Sequence, residues 1–76
     1  MELLVLGTGC AKCTALADNA QAAVEQSGGD HVVRKVSDLN EMMKYGVLVT
    51  PALVVDGEVK CVGKVPSVEA IQEFLA

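Results

Sequence analysis

The sequence predicts an α/β fold: a four-stranded mixed sheet with helices on both faces, in the order β-α-β-α-β-β-α. Three observations carry this. A continuous apolar run, Leu3-Leu4-Val5-Leu6, stops at Gly7 and opens onto a long stretch with helical spacing. A second run, Ala52-Leu53-Val54-Val55, leads directly into Asp56-Gly57, among the strongest two-residue hairpin signals. The chain then closes on a third helical stretch after Pro66-Ser67. Strands alternating with helices make parallel pairs joined by crossovers, whereas a tight hairpin makes an antiparallel pair.

Each element has its own reason. Glu2–Leu6 is apolar throughout rather than alternating, which fits a strand buried on both faces. Thr8 and Gly9 make the turn that follows, where glycine permits close backbone approach. From residue 11 to about residue 27, Cys13, Leu16, Ala17, Ala20 and Val24 recur at three- and four-residue steps, while Asp18, Gln21 and Glu25 lie off that stripe. Gly28-Gly29 stops the helix.

Residues 31–36 form a second strand on the strength of Val32, Val33 and Val36, joined to the first by a right-handed helical crossover. Asp38-Leu39-Asn40-Glu41 has the form of a capping box. It starts a short helix with Leu39, Met42 and Met43 on the inner face, ended by Tyr45-Gly46. Residues 47–49 connect to Thr50-Pro51 and the third strand. With a two-residue hairpin, Val55 opposes Glu58 and Ala52 opposes Cys61 across Glu58–Val62. Gly63 breaks that strand, Ser67 caps the last helix, and Val68, Ile71, Phe74 and Leu75 form its buried stripe.

Composition narrows the function classes. At 76 residues the chain is expected to be one domain, residues 1–76, with a small core. Hydrophobic residues make up 51%, which argues against disorder, and only Tyr45 and Phe74 are aromatic, so the core is aliphatic. The net charge of −4, without a basic run, argues against nucleic acid or an anionic membrane as partner. No apolar run approaches the ~20 residues that span a bilayer, and Leu3-Leu4-Val5-Leu6 is too short for a secretory signal. Three cysteines are an odd number, unlike a secreted disulfide scaffold, so the expected compartment is the reducing cytoplasm.

The chemistry sits in Gly7-Thr8-Gly9-Cys10-Ala11-Lys12-Cys13. Two thiols lie at a strand–helix corner, just under one helical turn apart. They can close a small ring or pinch a soft metal ion. Disulfide exchange needs a thiolate, and a free cysteine with a pKa near ~8.5 is mostly protonated at neutral pH. At a helix N-terminus, unpaired N–H groups and the positive end of the dipole favour the anion at Cys10, and Lys12 adds positive potential.

With Cys10-Ala11-Lys12-Cys13 after the first strand and Thr50-Pro51 before the third, the whole chain resembles the thioredoxin superfamily. It is most similar to the small thioredoxin-like redox-active disulfide proteins. Residues 43–47, 50–57 and 63–67 carry the likeness as well. The resemblance implies a minimal thioredoxin-like fold and a thiol–disulfide oxidoreductase without a cofactor beyond its own dithiol. It implies that Cys10 is the nucleophile and Cys13 resolves the mixed disulfide. It also implies that Pro51 follows a cis bond beside the pair, with Gly9, Lys12 and Thr50 completing a substrate groove. The implied partners are a protein disulfide and an upstream reductase.

The sequence departs from that pattern in three places. Gly9 stands where a tryptophan precedes the first cysteine. Leu4 stands where thioredoxins proper carry a buried acid, so the base for the resolving step is not identified. Gly63-Lys64-Val65-Pro66 replaces the Gly-Gly-x-Asp loop that holds glutathione in glutaredoxins. Two rival readings exist. Gly-x-x-Cys-x-x-Cys also resembles heavy-metal-associated domains that bind Cu(I), although those end in a strand and carry Met where Thr8 stands. A thioredoxin-like binding or regulatory module without turnover is the third class.

The remaining candidates read more simply. Cys61 is a small hydrophobe on the fourth strand, with a functional alternative because the simple hairpin register places it near Pro51. His31 is a surface or structural residue. Met42 and Met43 pack the second helix, and Tyr45 caps it.

Overall fold

The computed structural model describes residues 1–7, 11–47 and 49–75. Its elements follow the expected order: β1 (Glu2–Leu6), α1 (Ala11–Ser27), β2 (Val32–Val36), α2 (Leu39–Lys44), β3 (Ala52–Val55), β4 (Glu58–Val62) and α3 (Val68–Leu75). The strands form one sheet in the order β2-β1-β3-β4. β1 runs parallel to β2 and antiparallel to β3, and β3 runs antiparallel to β4.

Strand position explains strand composition. Leu3 to Leu6 and all of β3 are buried, because these two central strands are covered on both faces. β2 and β4 are edges, and their residues are exposed or half-buried. α1 and α3 cover one face. There Leu16, Ala20, Ala23 and Ile71 are fully shielded and meet Leu3, Val5, Leu53 and Val55. Val68, Phe74 and Leu75 pack against this cluster as the expected stripe. α2 covers the other face, where Met42 and Val47 meet Leu4, Leu6, Ala52 and Val54.

The helix ends follow the sequence except that the capping box of α2 is only half made, since the Glu41 carboxylate accepts from Lys44. The Asp38 carboxylate accepts the Asn40 amide at 2.8 Å, and the Ser67 hydroxyl accepts the Ala70 amide at 3.1 Å. The Gly28 amide donates to the Val24 carbonyl at 3.3 Å, closing α1. At the hairpin, Asp56 and Gly57 both take positive φ, 48° and 82°, as a two-residue turn of the twisted kind requires. The Asp56 carboxylate and amide both bind the Glu2 backbone, at 2.8 Å each, which ties this turn to the start of β1.

Two expectations are corrected. Leu39 and Met43 do not join the inner face of α2; they are 65% and 67% exposed, and Met42 alone of the three is buried. A six-residue helix presents barely one residue to a flat sheet, and Met43 is rotated about 100° from Met42. The hairpin register also differs. Val55 opposes Glu58 as expected, but a bulge at Lys60 places Cys61 opposite Leu53 and Val62 opposite Ala52. One extra residue moves everything beyond it to the other face. Val59 accordingly packs on the α2 side and Cys61 on the α1/α3 side. The reading of Cys61 as a neighbour of Pro51 rested on the simple register and falls with it.

Candidate active site

The site lies where β1 gives way to α1. Gly7 ends the strand, and its amide donates to the Val36 carbonyl at 2.9 Å, continuing the β1–β2 ladder by one rung. Cys13 lies in the first turn of α1, on the stripe that faces the sheet, and only 5% of it is exposed.

Gly7 allows Cys13 to sit there. A methyl group on Gly7 would overlap the Cys13 sulfur, come within 3.0 Å of its Cβ and reach 3.9 Å from the Thr50 Cβ. The bare backbone of residue 7 is therefore the surface on which Cys13 packs, with Thr50 also near that position. This is a steric requirement, since Gly7 is not among the glycines with positive φ. The sequence marks Gly7 only as the end of a strand, and this packing role becomes visible in the fold.

The Thr50–Pro51 peptide bond is cis. Pro51 is fully buried and Thr50 half-buried, so Thr50 is the residue of the pair that reaches the surface. The Pro51 carbonyl accepts the Gly63 amide at 2.7 Å, and a Cβ on Gly63 would lie 3.3 Å from Val49. The loop after β4 is thus fastened beside Thr50-Pro51. Lys12 is exposed next to Cys13. The expected nucleophile Cys10, together with Thr8 and Gly9, lies outside the described residues.

A small cavity beside Cys13 is lined by Val5, Gly7, Thr14 and Lys35. It refines the question of the missing acid. Leu4, counted from the motif, packs on the α2 face, whereas Val5 is the β1 residue beside Cys13. Both are apolar, and no polar or charged residue among those described is buried. Lys35 brings a cation instead. It enters because the parallel register sets it level with Val5. The expected β1–β2 pairing was the signal that could have found it.

The family comparison agrees with this geometry. Residues 1–76 match the family model described as "Thioredoxin domain". The chain belongs to the thioredoxin family. It is 38% identical over 76 residues to a protein named "Thioredoxin" from Methanothermobacter thermautotrophicus, covering 100% of this chain and 99% of that one. It is 44% identical over 71 residues to a "Thioredoxin" from Methanocaldococcus jannaschii, covering 93% of this chain and 81% of that one. Among the described residues, no helix is long and apolar enough to cross a membrane.

Proposed function

We propose that this chain is a small thiol–disulfide oxidoreductase that cycles between a Cys10/Cys13 dithiol and a disulfide. Cys10 thiolate attacks a substrate disulfide, forming a mixed disulfide and releasing the first substrate thiolate. Cys13 thiolate then attacks the Cys10 sulfur. The intramolecular disulfide forms, the second substrate thiolate leaves, and two electrons have passed to the substrate. A reductase of unspecified identity returns them. Thr50, backed by Pro51, borders the groove with Lys12 on this reading. The dithiol needs no further cofactor, and the odd cysteine count suits a reducing cytoplasm.

The observation that carries this reading is the burial of Cys13 against Gly7 in a chain of the thioredoxin family. A buried second thiol at a helix start suits resolution of a bond formed by its partner, and the family match favours exchange over soft-metal binding. The experiment is to challenge Cys13→Ser with a protein disulfide and analyse the products by mass spectrometry. A stable adduct on Cys10 is expected. Turnover without an adduct, or an adduct on Cys61, would overturn the assignment of roles.

A further inference from the structure

We propose that the end of the sheet carrying Cys13 is a docking surface for disulfides set in acidic polypeptide segments. This rests on the thiol–disulfide reading above and concerns which substrates that site accepts. The chain has ten Asp and Glu against six Lys and Arg, yet the fold sorts these charges by end.

Three lysines gather around the site. Lys35, near the end of β2, lines the cavity with Cys13. Lys12 is exposed in the first turn of α1. Lys64 is exposed directly after Gly63, whose amide is bound to the Pro51 carbonyl. Among the described residues, none of the three joins an ion pair, whereas Arg34, Lys44 and Lys60 are paired with Glu2, Glu41 and Glu58. Two carboxylates lie towards this end: Asp38 accepts the Asn40 amide at the start of α2, and Glu41 pairs with Lys44. Asp18 lies about two turns, ~10 Å, down α1.

Five of the ten acids sit at the opposite end, while Glu69 and Glu73 lie along α3. Glu2 starts β1, Asp56 sits in the hairpin turn bound to the Glu2 backbone, and Glu58 starts β4. Asp30 precedes β2, its carbonyl held by the Met1 ammonium at 3.0 Å. Glu25 belongs to the last turn of α1. An acidic protein therefore presents three unpaired lysines around its buried thiol, where lysines outnumber the two carboxylates of Asp38 and Glu41. Such polarity attracts and orients a negatively charged partner site-first, and it repels one that approaches from behind. Steering of this kind changes association rates by about 10- to 1,000-fold and is screened by salt. The chemistry is the balanced exchange already described: the reduced dithiol gives two electrons to the substrate S–S bond, and dithiol peptide and protein disulfide result.

The test uses the full chain, reduced beforehand and freed of reductant, in single turnover. The probes are three peptides with the same internal disulfide, flanked by Asp, by Asn or by Lys, each rate being divided by that of the Asn peptide. At low salt the Asp peptide is expected to react roughly ten-fold faster than the Lys peptide, falling to within about two-fold at ~0.5 M salt. The double variant Lys35→Gln/Lys64→Gln should shrink the low-salt ratio to about three-fold or less. Lys60→Gln, which removes one charge from an ion pair on β4, should preserve it. Equal or reversed rates for the charged peptides, or a ratio that survives the double variant, would overturn the docking surface. Failure to reduce even the Asn peptide would overturn the oxidoreductase reading instead.

Discussion

On one face of the sheet, a helix of 17 residues and one of 8 cover the strands. On the other, a helix of six residues does so, with Leu39 and Met43 pointing away. The two faces share β1 and β3, whose neighbouring side chains alternate between them: Leu3 and Val5 go to α1 and α3, Leu4 and Leu6 to α2. The difference shows where rigidity is needed. Cys13 belongs to α1, so the thiol proposed to resolve the mixed disulfide is mounted on the thickly packed face. The α2 face closes the core with less material, and a charge pair rather than an apolar contact finishes its helix: Lys44 donates to Glu41 at 2.9 Å.

The contrast can be broken by mutation. Leu16→Ala, at a fully shielded position on the thick face, should cost about 3–4 kcal/mol in denaturant unfolding. Met42→Ala on the thin face should cost about 2 kcal/mol, because a site under a six-residue helix collapses more readily around the lost atoms. Equal losses would erase the distinction between the faces. Gly7→Ala should cost about 1–3 kcal/mol by overpacking against Cys13. It should also slow single-turnover exchange, whereas Met42→Ala should leave the exchange rate of the folded fraction near wild type.

Smaller effects sharpen the picture of α2. Leu39→Ser and Met43→Ser should each shift stability by no more than about 0.5 kcal/mol, since both side chains already face solvent. The hydrogen bond to Glu41 holds the Lys44 ammonium above its ordinary value of 10.5. A raised folded pKa means that the pair's contribution is present at neutral pH and is lost as pH rises above 10.5. The pH-dependent part of the stability difference between wild type and Lys44→Ala should therefore be constant from neutral pH to about 10 and fall away as pH rises above 10.5. A difference that grows with alkaline pH would contradict the sign.

What could be read from the sequence follows the same division. The central strands were legible because burial on both faces demands an unbroken apolar run, and β1 and β3 have one each. α1 was legible because 17 residues hold several periods of the stripe. α2 is too short for periodicity to tell Met42 from Met43, and both are apolar enough to suggest the core. The bulge at Lys60 left no mark, since Glu58 to Cys61 alternates polar and apolar in sequence and only pairing with β3 shows the extra residue. At the site, local motifs indicated Cys13 and Thr50-Pro51. Gly7 and Lys35 act through neighbours on other elements, so tertiary packing had to bring them into view.

The central claim is that a dithiol at the β1–α1 corner exchanges with substrate disulfides. The most direct measurement is peptide mapping after the reduced protein has turned over an excess of disulfide peptide, in wild type and in Cys61→Ser. The account expects one Cys10–Cys13 bond per chain, formed at the same rate in both proteins. Oxidation that requires Cys61, or substrate reduction that leaves Cys13 as a thiol, would contradict it.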